Sequence, residues 1–301
     1  MREHRAAHVL PAALPAVQRE VSQALVRALA DVDGVVAVAL GGSYARGTPK
    51  PDSDVDLGLY YREAAPFAIA AIRGVAAHAN PGPAPVVTDF YEWGPWMNGG
   101  AWIRSRAGRL DLIYRNLDQV DRVIGEAQAG ESAWDYAQTP THGFHATSYL
   151  AEIAICVPLH DPNGLLAARK RQVAAYPAAL KRRLVQRNLW GAEFTLRFLK
   201  TFAGRGDVYN AMGCMTRLAA HLTQALFALN ETYFLNDKSA LDEIEGFEIR
   251  PDEYAEAITR ILAHPGETPS TLLQSADRVE VLFRAVAALA GDAYRAPYPD
   301  P

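Results

Sequence analysis

The chain has 301 residues, half of them apolar, which suffices for one large core or two modest ones, and its length favours two domains. A formal net charge of −4 lacks the strongly basic signature of a broad nucleic-acid binder, so nucleic acid is not a favoured partner. Cys156 and Cys214 sit in apolar helical patterns without metal-ligand spacing and read as buried thiols of a reducing compartment. Glu152, Pro158 and His160 interrupt the apolar run near Ile155, leaving nothing as long as a membrane span, and the N-terminus lacks a secretion-type apolar segment. These features predict a soluble, cytoplasmic protein.

In chain order, the pattern predicts a helix over Leu14 to Ala30 and a strand over Val35 to Leu40. Gly41-Gly42-Ser43-Tyr44-Ala45-Arg46-Gly47 follows as a turn, and Ser53-Asp54-Val55-Asp56-Leu57 opens a second strand running to Tyr61. A helix over Pro66 to His78 and a strand near Val86 come next. The segment Phe90 to Trp102 holds three of the five tryptophans, and Arg109 to Tyr114 is a strand pattern interrupted by Asp111. Leu117 to Ala129 reads as a helix with Asp118 and Asp121 in its first turn, and Gly130 to Gly143 is turn-rich. From His145 onward helical periodicity dominates, broken at Asp161–Gly164, Gly204–Gly206 and Arg250–Asp252, which predicts five or six helices. The expected organisation is an α/β sheet domain over 1–130, a helical bundle over 131–296 and a tail over 297–301.

Adjacent glycines let the backbone turn sharply and approach a ligand without Cβ interference. Ser43 is placed to cap the following helix, whose free N–H groups attract phosphate. Asp54 and Asp56 are two apart on a strand, so both side chains leave one face while Val55 and Leu57 enter a core. Paired carboxylates on a rigid face suit Mg²⁺, and aspartates on neighbouring strands suit two ions serving in-line displacement at phosphorus. Asp111 is the expected third carboxylate, with Asp89 as its rival. An ionised aspartate in an apolar strand is costly unless it is paired or bound to metal.

The run GGSYARGTPKPDSDVDL, followed by a hydrophobic-Asp-hydrophobic strand, resembles the DNA polymerase beta-like nucleotidyltransferase superfamily. Its form is nearest to the minimal and the aminoglycoside and lincosamide nucleotidyltransferases of bacteria. The resemblance spans roughly Val35 to Arg115 and is most specific between Gly41 and Leu57. It implies an α+β fold: a mixed sheet flanked by helices, then an all-helical bundle completing the acceptor side. It also implies that Asp54 and Asp56 are the metal-binding pair, Ser43 the phosphate-contacting serine and Asp111 the third carboxylate. The implied activity is Mg²⁺-dependent transfer of a nucleoside monophosphate, AMP from ATP first, with two ions bound and pyrophosphate released. The implied acceptor is a hydroxyl of a small molecule such as an aminoglycoside. Modification of a protein or tRNA, and nucleotide binding without turnover, are the alternatives.

Several residues carry two readings. Arg46 either touches the β- or γ-phosphate or pairs with Asp52. Lys238, before a helix, either reaches the nucleotide phosphates, as in similar helical domains, or is a plain turn residue. The bases from Arg169 to Arg205 either assist the departing pyrophosphate or form a solvated helix face. The tryptophan-rich segment either stacks a base or sugar or packs under the sheet. Asp89, Glu92 and Glu152 would together make an acidic cleft for a cationic acceptor, and Glu152 rivals Asp111 as general base. Arg217 and His221, at i and i+4, resemble the arginine-histidine nuclease pair of HEPN proteins, but the spacing is shorter than that pattern and His221 reads as a core-edge histidine.

Overall fold

Four residues spaced along one stripe, Ser22, Leu25, Val26 and Leu29, are buried in the first helix, α1 (Ala16–Ala30), which fits the helical period expected there. The computed structural model describes residues 10, 11 and 14–297, so the tail expected at 297–301 lies beyond Pro297 outside the described residues. After α1 come β1 (Ala37–Leu40), α2 (Gly42–Arg46), β2 (Val55–Tyr61), α3 (Ile69–Ala79), β3 (Val86–Val87), β4 (Gly100–Ser105) and β5 (Gly108–Asn116). The chain continues through α4 (Leu117–Gln128), the two-stranded ribbon of β6 (Trp134–Asp135) and β7 (Phe144–His145), α5 (Thr147–Ile155), β8 (Val157–His160) and α6 (Leu165–Gln172). Last come α7 (Ala178–Gly204), α8 (Val208–Leu229), α9 (Ala240–Glu245), α10 (Tyr254–Ala263) and α11 (Pro269–Ala290).

The chain divides into two units: Met1–Gly125 with Tyr149–Ala175, and Glu126–Ser148 with Tyr176–Pro301. The first is built on a six-stranded sheet in the order β3-β4-β5-β2-β1-β8, in which only the β2–β5 pairing is parallel. Period-two alternation sorts its residues. Val55, Leu57 and Leu59 of β2 and Leu110, Leu112 and Tyr114 of β5 enter one apolar core with Leu25 and Leu29 of α1 and Ile72 of α3. Asp56, Gly58 and Tyr60, and Asp111, Ile113 and Arg115, take the opposite face.

At the Tyr60 end of that face the buried guanidinium of Arg115 donates to both oxygens of Glu152 on α5, each at 2.6 Å. Lys170 of α6 donates to the carbonyls of Ile153, Ala154 and Cys156, closing the C-terminal end of α5 with a cation.

One element departs from the sequence expectation. From His145 helical periodicity dominates the sequence, with its first break expected at Asp161, yet Val157–His160 is a strand paired with β1. Pro158 is tolerated there because β8 is the edge of the sheet and the register shifts beside it. This strand also carries chain from beyond residue 130 into the first unit, so the division differs from the single cut expected near 130.

The second unit is dominated by the antiparallel-connected helices α7 and α8, with α9, α10 and α11 beside them. Gly191 of α7 lets them approach: a Cβ there would stand 2.7 Å from ring atoms of His221 on α8. Thr268 and Thr271 form a capping box at the start of α11, with Pro269 at its first position. Among the described residues no helix is long and apolar enough to cross a membrane.

Candidate active site

The site grows out of the turn between β1 and α2. Gly41 donates its N–H to the carbonyl of Asp56 at 2.9 Å, fastening the turn to β2. Gly42 has φ +60°, and a Cβ there would meet Asp56 Oδ2 at 1.8 Å, so a side chain at this position would occupy the carboxylate's own place. The residue that caps α2 is Gly41, and Ser43 is the second residue of the helix. The expected Ser43 cap is thereby corrected: the cap position falls on Gly41, which has no side chain, and no side-chain hydrogen bond caps the helix. Tyr44 holds the other side of α2, donating its hydroxyl to Gln18 of α1 at 3.1 Å.

Asp56 and Asp111 are register partners on the parallel strands β2 and β5, which puts their Cα atoms about 5 Å apart with both side chains on one face. Continuing the row, Trp102 of β4 stands opposite Asp111. Gly41, Asp56, Asp111 and Trp102 therefore follow one another across the sheet.

Asp54 lies just before β2, delivered by a turn in which Lys50 N–H donates to Ser53 Oγ at 2.8 Å. Its carboxylate accepts from Arg109 Nε at 2.7 Å. Arg109 was not singled out from sequence, although it lies two residues before Asp111 and so shares its face. Among the described residues no three His, Cys, Asp or Glu side chains already form a group that would hold a metal ion. The donor chemistry nonetheless fits a hard divalent cation: oxygen-only, half-buried, two carboxylates in register and a third one strand-step away.

The rivals are engaged elsewhere. Asp89, largely exposed, pairs with Arg73 at 3.1 Å, and its backbone N–H donates to Glu92. Glu152 is held by Arg115. The three acids expected to form an acidic cleft thus each serve a local contact. In the aromatic segment Phe90 packs among Tyr61, Phe67 and Tyr114, and Trp96 meets Tyr149, whose hydroxyl donates to the Trp96 carbonyl. Trp93 stacks on Trp102 at 5.0 Å, and Trp102 remains 52% exposed beside Asp111.

Arg46 is the last residue of α2 and half-buried. Lys238 is exposed on a turn of the second unit, where Asn236 accepts its backbone N–H at 3.0 Å. The basic stretch is largely structural. Arg169 pairs with Asp121, Lys181 with Glu231, Arg197 with Glu193 and Lys200 with Glu280, while Lys170 serves α5. Burial raises the Cys156 thiol to about 11, which leaves it unreactive.

Residues 22–90 match the nucleotidyltransferase domain family, and residues 145–238 match a domain of unknown function, DUF4037. No curated protein matches the chain. Among solved structures it is similar to a nucleotidyltransferase-like protein from Exiguobacterium sibiricum, with 10% identity, coverage of 90% of this chain and 78% of that one, and a TM-score of 0.46. Nucleotidyltransferase domains use nucleoside triphosphates and divalent metals. The segment from residue 22 to residue 90, which contains the glycine turn, Asp54 and Asp56, is a nucleotidyltransferase domain, and the chain is an enzyme of that class.

Proposed function

We propose that the enzyme transfers a nucleoside monophosphate, AMP from ATP first, to a hydroxyl of a small-molecule acceptor and releases pyrophosphate. The observation that supports this most is the register pairing of Asp56 with Asp111 beside a turn where Gly42 leaves no room for a Cβ. Asp54, Asp56 and Asp111 would hold Mg²⁺, two ions in all. Bound there, the ions would neutralise phosphate charge and lower the pKa of the acceptor hydroxyl.

The chain's own groups do the rest. Ser43 and the backbone of Gly41 and Gly42 bind the β- and γ-phosphates, with Arg46 at the end of the same short helix. Asp111 orients the acceptor hydroxyl and receives its proton. The acceptor oxygen bonds to the α-phosphorus as the bond to the bridging oxygen breaks, and pyrophosphate leaves. Because Glu92, Asp89 and Glu152 are each occupied locally, a neutral or weakly charged hydroxylated acceptor fits better than a polycation such as an aminoglycoside.

The test supplies α-labelled ATP, GTP, CTP and UTP with Mg²⁺ to aminoglycosides, neutral sugars, tRNA and cell extract, following both label and pyrophosphate. Label on a small molecule is the expected result; label on tRNA or protein would move the acceptor assignment to a macromolecule. Asp56→Asn should lose more than about 100-fold in rate with its circular dichroism unchanged. Undiminished transfer by that variant would refute the metal assignment.

A further inference from the structure

The helical unit contains a cavity of about 260 Å³ between α7, α8 and the β6–β7 ribbon, lined by side chains that no part of the proposed reaction uses. Except for Trp134, its lining falls within residues 145–238.

Three features define what it would hold. Its lining includes Arg187 and Arg217 and no acidic residue. Arg187 is half-buried, donates to the Ser132 carbonyl at 2.7 Å, and has its pKa lowered by desolvation and by Arg183 against the opposing pull of Glu131. A guanidinium partly withdrawn from water, in a cavity whose lining holds no carboxylate, is stabilised by an anion.

Two imidazoles present bare nitrogens. Asn188 Nδ2 donates to the Leu184 carbonyl, which leaves Asn188 Oδ1 to accept from His221 Nδ1 at 3.1 Å. His221 therefore carries its proton on Nδ1, and Nε2 is a lone pair. His221 Nε2 and His145 Nε2 are both buried, and neither has a hydrogen-bond partner. Burial, reinforced by neighbouring arginines, holds both rings neutral, with pKa values down to about 4 for His221 and about 3 for His145.

The third feature is flat apolar surface. Trp134 stacks on His145 at an interplanar angle of 6°, and Trp190 and Phe194 complete the wall. A metal ion is disfavoured here because both charged residues are cationic.

We propose that this cavity is a second ligand site, for a small planar aromatic anion that also carries an O–H or N–H donor. The anionic group faces Arg187 and Arg217, the ring lies against the tryptophans, and the donor satisfies an imidazole nitrogen. This site lies wholly within the helical unit and stands independently of the nucleotidyl-transfer reading.

The test is calorimetry on the full chain with EDTA present, using 4-hydroxybenzoate, adenosine 5′-monophosphate and the cation tyramine. Histidine side-chain NMR locates the binding. The expected result is that at least one anion binds and shifts the His221 resonances, that tyramine does not, and that Arg217→Gln weakens the anion about tenfold. Carboxylate against phosphate preference then follows from which anion binds. Failure of both anions at millimolar concentration, tighter binding of tyramine, or affinity unchanged in Arg217→Gln would overturn the proposal. Because Arg217 is exposed, that variant leaves the helical packing intact.

Discussion

At the scale of single residues, the site depends on an atom that is missing. Gly42→Ala would drive a Cβ into Asp56 Oδ2 at 1.8 Å and force an alanine to φ +60°. The carboxylate has to leave its position, so transfer should fall at least as far as in Asp56→Asn, while stability drops by about 1–3 kcal/mol in urea titrations. Activity near wild type would mean that Asp56 works from another position. Arg109 acts in the opposite sense, since it occupies Asp54 through a half-exposed ion pair. Arg109→Gln frees that carboxylate and removes a positive charge, and both changes favour a divalent cation. The Mg²⁺ concentration for half-maximal turnover should fall about two- to fivefold, the range set by an exposed pair. A rise would show that Arg109 helps to bind the nucleotide instead. Both aspartates and the glycine pair were legible because each breaks a local rule: an acid in an apolar strand, two glycines where a helix begins. Arg109 was not legible as the partner of Asp54, because a lone arginine on a strand violates nothing.

At the scale of elements, the strands β2 and β5 were each readable from alternation, and Asp111 was the expected third carboxylate, which the structure places in register with Asp56. What alternation could not give was the parallel register itself, since pairing partners far apart in sequence leave no local mark. The same limit hid β8: four residues with a proline carry too little pattern to outweigh helical neighbours, and only the open edge of β1 makes them a strand. Glu152 illustrates how packing decides between roles. Sequence left it as a rival general base, whereas Arg115 takes both its oxygens, and the charge of Glu152 holds the buried Arg115 protonated above its ordinary value. Glu152→Gln leaves a buried cation with a weaker partner, so it should cost about 3 kcal/mol of stability by denaturant titration. Turnover per folded molecule should stay within a few-fold of wild type, as the Asp111 assignment requires. A large loss of kcat in a fully folded sample would return the base to Glu152.

At the scale of the whole molecule, the chain passes from one unit to the other near residues 125, 148 and 175, which no shift in composition announces. The pairing of β8 with β1 holds part of the later chain in the first unit, which a boundary drawn near 130 from turn-rich sequence does not anticipate. The second unit carries its own pH signature. His145 and His221 are held neutral by burial, with pKa values down to about 3 and about 4, against about 6.5 for unfolded histidine. Above pH 6.5 neither state binds these protons, and the full stability is present. As the pH falls below 6.5, the unfolded chain takes up protons that the folded rings refuse, so stability is lost progressively down to about pH 4 for His221 and about pH 3 for His145. Carboxylates titrate mainly below pH 5, which leaves the interval from 6.5 to 5 to the histidines. Between pH 7 and 5 the two rings together should remove on the order of 4 kcal/mol. His145→Gln removes one of the two groups, so its stability, read from tryptophan fluorescence in urea, should fall about half as steeply across that interval. Parallel slopes for the variant and the wild type would show that the His145 ring takes up its proton as readily folded as unfolded.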